Sequence, residues 1–447
     1  MTNPTPATDD VILLRGRGRI SALGTAANGY AAGQPGFATR TLGRKQLAVA
    51  ALPPALEDQL TALRKSQPAY RQLDRTVLLA IVAARQATAE AGWAGGNEQS
   101  AMSNEQVLIT PNSLPNQPII NNQKPETRSQ KLTTNNEQQT TSLAVSIGSS
   151  RGATGRTEHY HHEFLSTGDV AAAASPLTTL GNVASWVAFD AGSAGGAALS
   201  HSSTCSSAFQ ALGNAMAWLR AGMAGRFLAG GTEAPLTDFT LAQMHALGIY
   251  SPFAAADFPC RPGAGRPSTF VLGEGAAVFA LEKISRAALL AEQRQRPVRP
   301  LFVLESVGFG FEAIGSKTGL SADGRHFQTA MRQALAQAGR AGAEVDAIVL
   351  HSPGTPAGDA AERQAIRAVF GEQLPDLVSN KWLLGHTLGA SAALSLDFAC
   401  HILASQSWPA APFATDLTPA PTRPIRRVLV NAAGFGGNAA SALVAVL

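Results

Sequence analysis

The chain has 447 residues, 45% hydrophobic and 15% charged, with a net charge of +4, enough for two domains or one large duplicated unit around a substantial core. No dense Lys/Arg block with interleaved aromatics occurs, so nucleic acid is not an expected partner. No continuous apolar run reaches the roughly 18 residues of a membrane span, the first ten residues lack the basic and apolar regions of a secretory signal, and the three cysteines (Cys205, Cys260, Cys400) are too scattered for a disulfide framework or zinc site, so a reducing cytoplasm is expected.

In chain order, Val11 to Leu14 reads as a buried strand ended by the Gly16–Gly18 turn. Leu73 to Gly92 reads as a long helix with a glycine stop. Residues 95–142, rich in Asn, Gln, Ser, Thr and Pro, read as a flexible surface insertion. Leu143 to Ile147 is a short strand, followed by the Cys205 segment and its helix, then Arg226 to Gly231 as strand and glycine turn, then a strand over Gly273 to Glu282. A polar, Pro-containing connector at 293–300 divides the chain into halves of 1–290 and 291–447. The second half offers strands at Leu301–Leu304, Ala347–His351, Arg427–Asn431 and Ala440–Val446, with helices at His326–Ala338 and Ala392–Leu403. Strands alternating with helices predict an α/β fold with mixed sheets.

Four segments look like sites. In the first, a polar stretch ending in Thr204-Cys205 runs into the apolar positions Ala208, Ala211, Leu212, Ala215, Met216 and Leu219 at spacings of three and four. A cysteine at a helix start meets unpaired N–H groups and the positive end of the dipole, which favours the nucleophilic thiolate. The second holds His351, Thr355, Asp359 and Glu362, the third Lys381 and His386, and the fourth the Gly434–Gly437 loop around Phe435. Singly, each has an ordinary reading: a buried thiol, a turn histidine, an exposed lysine, acids at a helix start. Jointly they offer a nucleophile, two imidazoles, an ammonium and a loop whose backbone N–H groups can approach a ligand. The His159–His162 tract lacks Cys or carboxylate partners at ligand spacing and is not read as a metal site.

With those residues in view, the chain resembles the elongating β-ketoacyl-(acyl carrier protein) synthases of the thiolase-like superfamily. The family's Cys-Ser-Ser nucleophile, His-Gly-Thr-x-Thr-Pro-x-x-Asp-x-x-Glu loop, Lys-x-x-x-Gly-His loop and Gly-Phe-Gly-Gly turn all occur in order, with most residues kept. The resemblance implies a layered αβαβα fold of two similar halves. It implies that Cys205 carries an acyl thioester and that His351 and His386 assist decarboxylation of a malonyl extender. Lys381 would orient His386 and pair with Glu362, supported by Asp359. Phe435 would gate the acyl pocket and share an oxyanion hole with Cys205, while Thr355 and Thr204 would contact substrate. No metal or redox cofactor is implied. The partners implied are an acyl carrier protein and a second subunit, in a homodimer or a heterodimer.

Departures cluster near the expected gate: Ser352-Pro353 for Gly-Thr, Asn431-Ala432-Ala433 for Asn-Ser-Phe, and Asn438 where Thr is common. They suggest a specialised ketosynthase, of an aryl-polyene or related pigment pathway, and not the housekeeping enzyme of fatty-acid synthesis. The alternative is a non-catalytic chain-length-factor-like partner of a ketosynthase heterodimer. Such subunits usually lack the cysteine that this chain keeps.

Overall fold

The computed structural model describes residues 9–93, 142–193, 195–295, 300–313, 315 and 321–447. The expected insertion, apart from Ser142, and residues 296–299 of the connector lie outside the described residues.

The strands are β1 (Asp10–Ser21), β2 (Ala38–Leu42), β3 (Lys45–Val49), β4 (Leu143–Gly148), β5 (Ala198–His201), β6 (Arg226–Glu233), β7 (Gly275–Ser285), β8 (Phe302–Phe311), β9 (Ala347–Val349), β10 (Asp376–Val378), β11 (Arg427–Gly434) and β12 (Asn438–Val446). β2 and β3 form a separate hairpin, and the other ten pair in the order β10-β9-β11-β12-β8-β1-β7-β6-β4-β5. That order has the same pattern read from either end. Outward from the central β1–β8 pair, each side has two antiparallel pairings and then two parallel ones. Each half is thus a mixed five-stranded sheet with one topology.

Five helices build the layers: α1 (Arg75–Ala91), α2 (Ser207–Arg220), α3 (Arg325–Ala338), α4 (Pro356–Phe370) and α5 (Ser391–Ser405). α2 and α5 touch each other and pack on strands of both halves, forming the middle layer. α1 covers β1, β6 and β7 on one outer face, and α3 covers β8 and β12 on the other, with α4 beside it. This is the expected αβαβα arrangement. α5 is buried along its length, as a helix apolar all round must be. The Leu388–Ser405 stretch is long and apolar enough to cross a membrane by length and composition, contrary to the reading of the sequence as continuous runs; 89% of it is buried inside the protein.

Local chemistry explains the element ends. Asp74 caps α1 by accepting from Thr76 N at 2.8 Å, and Gly92 ends it in a left-handed conformation at φ 66°. Two expected glycine turns are instead strand interior. β1 runs through Gly16 and Gly18 because α1 lies directly on them: a Cβ on Gly18 would sit 1.9 Å from Ala83 O. β6 likewise runs through Gly230 and Gly231, where a Cβ on Gly230 would sit 2.1 Å from Ala277 O. Glycine here permits close approach of backbone to backbone and makes no turn. The His159–His162 tract lies on the helix Thr154–Thr167.

Candidate active site

The reactive residues sit where strands end. β5 leads through Ser202, Ser203 and Thr204 to Cys205, two residues before α2. Thr204 adopts φ 55°, a conformation rare for a β-branched residue. Cys205 is only 6% exposed and belongs to an apolar cluster with Val49, Met244, Phe270 and Leu388. The expectation of a stabilised thiolate is corrected here: burial, helped by the Glu233 carboxylate, pushes the thiol up to about 12. The N–H groups of Ser206 and Ser207, which begin the helix, already donate to the Ser203 and Thr204 carbonyls. They do not offset the loss of water.

His351 follows β9, and its position is held by Glu362 from α4. Glu362 Oε1 accepts from His351 N at 2.9 Å and Asn431 Nδ2 at 3.1 Å. Its Oε2 accepts from Ser352 N at 2.8 Å and Ser352 Oγ at 2.7 Å. Asp359 closes the same loop, accepting from Gly354 N at 3.2 Å and Gly263 N at 2.8 Å, and burial pushes it up to about 7. The acids are therefore loop anchors.

His386 precedes α5, its Nδ1 3.1 Å from Ser391 Oγ. With that hydroxyl donating, Nε2 carries the imidazole hydrogen. Burial, and next the Lys381 charge, lower His386 to about 3. His351 is lowered well below the ordinary range, by burial first and then by His386, Lys381 and His326. Both imidazoles are neutral at physiological pH. Their rings meet edge to face, centroids 5.2 Å apart at 86°.

The expected Lys381–Glu362 ion pair is not formed at contact distance. Lys381 Nζ donates to Asn380 Oδ1 at 3.0 Å and Ser395 Oγ at 2.8 Å, while Glu362 is committed to the His351 loop. Nor does Lys381 orient His386 by a hydrogen bond; Ser391 does. Burial lowers the Lys381 ammonium to about 8.

Cys205, His351, His386, Thr355 and Phe435 line one cavity. Asp359, Glu362 and Lys381 stand behind its wall. Thr204, expected to touch substrate, is also off the wall: its hydroxyl donates to Ser203 O at 2.7 Å. Phe435, 43% exposed, lies on the turn between β11 and β12. Phe327, in the apolar wall of the cavity, was not expected from sequence. Phe270 packs edge-on against His386 (5.5 Å, 84°), and Phe327 faces His351 at 6.1 Å. Glu233, at the end of β6, was missed too. It is fully buried and accepts from Ser149 Oγ, Ser150 N, Arg151 N and Gly389 N, at 3.0, 2.6, 3.1 and 2.9 Å, so it ties the His386 loop to the other half. Burial pushes it up to about 7 against the pull of those donors. Its only sequence signal is a carboxylate closing a strand whose middle, Phe227 to Gly231, is apolar.

Residues 127–287 match the β-ketoacyl synthase N-terminal domain and 301–412 the C-terminal domain, together well over half of the chain. The chain belongs to the β-ketoacyl synthase family. The tetracenomycin polyketide synthase ketoacyl synthase alpha subunit of Streptomyces glaucescens is 35% identical over 215 residues, 47% of this chain and 48% of that protein. The 3-oxoacyl-[acyl-carrier-protein] synthase 2 of Staphylococcus aureus is 28% identical over 322 residues, 68% of this chain and 75% of that protein. The chain thus spans about half the length of the first of these relatives and three quarters of the second. The solved ishigamide ketosynthase/chain length factor superposes with a TM-score of 0.73 at 22% identity, covering 97% of this chain and 98% of that one, and so shares the fold.

Proposed function

We propose that this ketosynthase-family protein is an elongating β-ketoacyl-(acyl carrier protein) synthase. The observation that carries the reading is the convergence of Cys205, His351 and His386 on one apolar-walled cavity, with both imidazoles neutral. In the proposed reaction, Cys205 sulfur displaces the pantetheine thiol of an acyl carrier protein, and the thiol proton leaves on that sulfur. The malonyl extender then loses CO2. A neutral imidazole N–H stabilises the enolate oxygen more strongly in a dry site than in water. The enolate carbon attacks the Cys205 thioester carbonyl, whose oxyanion is held by the backbone N–H groups of Cys205 and Phe435. Collapse expels the cysteine sulfur as a thiolate, which takes up a proton from solvent, and leaves a carrier-bound β-ketoacyl product. The 127–287 and 301–412 matches agree with two catalytic halves, the first holding the nucleophile and the second both histidines.

The carrier-protein partner is supported by the Staphylococcus aureus relative, named for its acyl-carrier-protein substrate. A polyketide or polyene role is favoured by the departures beside Phe435 and by the Streptomyces relative. Intact-protein mass spectrometry tests the chemistry. An acyl adduct should form on the wild type from an acyl carrier protein and be missing in Cys205→Ala, and malonyl carrier protein should then discharge it as a β-ketoacyl product. Carrier binding with no adduct would instead point to a non-catalytic partner of the chain-length-factor kind. Faster extension of saturated than of polyenoyl chains would count against the specialised pathway.

A further inference from the structure

His326 is a third imidazole beside the cavity, and the proposed reaction does not use it. It is fully buried in the first turn of α3. The neighbouring Phe327 ring lies 4.7 Å from the His326 ring on one side and 6.1 Å from His351 on the other. His326 Nδ1 lies 3.3 Å from Glu312 Oε2, and Ser321 Oγ donates to the same oxygen at 2.6 Å. Ser321 Oγ also accepts from Arg325 N at 3.2 Å, so the pair is built into the start of α3. His326 Nε2 has no hydrogen-bond partner among the described residues. An imidazole buried with one nitrogen unmatched is a poor way to cap a helix, where an apolar or fully satisfied residue serves stability better.

Glu312 has a second attachment. It directly follows β8, and its N–H donates to Gly437 O at 3.0 Å. Gly437 presses against it so closely that a Cβ there would sit 1.9 Å from Glu312 O. Gly437 is the last residue of the turn that carries Phe435. Gly436 and Gly437 adopt φ 85° and 81°, a pair of residues with little intrinsic stiffness. Phe435 itself is 43% exposed, so packing does not hold the tip of the turn, while its ends Gly434 and Gly437 are buried, Gly434 against Thr204 and Cys205. Glu312 therefore joins the turn through its backbone and the start of α3, at His326 beside Phe327, through its carboxylate.

We infer that Glu312 and His326 are positioning residues that anchor the Gly434–Gly437 turn to the Phe327 wall of the cavity, and so set which acyl chains reach Cys205. The inference rests on the acyl-transfer reading above for its consequence, and on geometry alone for the anchor. The test uses the full chain with Glu312→Ala, His326→Phe and the double variant. Two quantities are read: amide hydrogen exchange of the 434–437 turn against the 427–433 strand, and loading of Cys205 by hexanoyl and hexadecanoyl N-acetylcysteamine thioesters, followed by intact mass. Exchange in the turn should rise at least about tenfold in each single variant, with the strand unchanged and no further rise in the double variant. The ratio of long-chain to short-chain loading should shift at least about fivefold. Unchanged exchange in the turn overturns the anchor. Loading of both thioesters altered by one common factor overturns the selectivity, because a merely structural role slows both alike. A wild type that takes up neither thioester refutes the acyl-transfer reading, while the exchange measurement still decides the anchor. Should Glu312→Ala fail to fold, Ser321→Ala removes one bond of the same set and is read in the same way.

Discussion

Replacing Glu362 with glutamine removes one acceptor oxygen from a fully buried group with four donors around it. With its NH2 at the Oε1 position, the new amide confronts His351 N–H and the Asn431 amide, whose own oxygen already accepts from Ser441 at 2.8 Å. With its NH2 at the Oε2 position, the Ser352 hydroxyl, which already accepts from Arg363 Nη1 at 2.8 Å, can turn to accept from the amide as well, so that Ser352 N–H is orphaned and the hydroxyl hydrogen needs another acceptor. The second arrangement is cheaper, and one buried unpaired donor costs about 1–3 kcal/mol. Arg363 lies 3.9 Å from Glu362 Oε2 and 2.6 Å from Asp416, so loss of the Glu362 charge removes one ion pair of Arg363 and relieves nothing in compensation. Ser352 adjoins His351, so its release shifts the imidazole. A misplacement of about 1 Å can cost on the order of a hundredfold in rate. Glu362→Gln should therefore lose about 1–3 kcal/mol of unfolding free energy by urea titration. Its turnover should fall roughly 10- to 100-fold, with a much smaller change in KM for the acyl donor. Turnover within about twofold of wild type, with stability unchanged, would refute the role of Glu362 as anchor of the His351 loop.

Malonyl decarboxylation should show no acid limb near pH 6.5, because both imidazoles are held below their ordinary range; a limb there that vanishes in His386→Ala would contradict this. The unfolded chain binds those protons below about pH 6.5 and the folded chain does not, so His386 withdraws stability as pH falls, and His386→Phe should lose less stability on acidification than wild type. Alkylation of Cys205 by iodoacetamide should climb about tenfold per pH unit through the neutral range, and a plateau below pH 9 would show a thiolate that burial should prevent. Lys381→Met removes a charge that depresses both histidines, so their titration followed by NMR should move upward, though not to 6.5, because burial is the larger cause. Gly18→Ala sets a Cβ against Ala83 O, and thermal unfolding should show a loss of about 1–3 kcal/mol as α1 is pushed off β1.

Local signals carried the helices: α1 was legible from its glycine stop at Gly92, and α2 from the apolar spacing of Ala208 to Leu219. The two glycine errors have one cause. Gly16, Gly18 and Gly230 matter for what packs on them, and a sequence does not display α1 lying on β1 or β7 beside β6. At the site, His351, His386 and Cys205 were legible because each sits in a motif at a strand or helix end. The protonation of Cys205 was not. The thiolate expected at the start of α2 depended on free N–H groups and solvent, and the fold removes both. Lys381 was assigned the wrong partner for a related reason: motif spacing does not reveal that Glu362 faces backbone N–H groups while Asn380 and Ser395 surround the ammonium. Phe327 and Glu233 belong to segments with no chemical motif, and only the tertiary arrangement brings Phe327 to the cavity and Glu233 to the loop of His386.

A cysteine facing two histidines could store reactivity as a thiolate–imidazolium pair, and burial here opposes that choice, outweighing the pull of Lys381 and Arg151 toward the thiolate. The apolar wall of Phe270, Phe327 and Leu388 penalises both ions. The Lys381 ammonium, fixed by two neutral partners, adds a positive field that specifically disfavours protonated imidazole. Three uncharged groups remain, and an uncharged N–H donor suits an enolate that forms, reacts and disappears within one turnover. The field that keeps the imidazoles neutral has the sign that stabilises negative charge on that oxygen. In the proposed reaction, one buried lysine thus adds to burial in keeping the donors neutral and favours the species they are placed to receive, a field that a contacting carboxylate in place of its hydrogen-bonding neighbours would cancel.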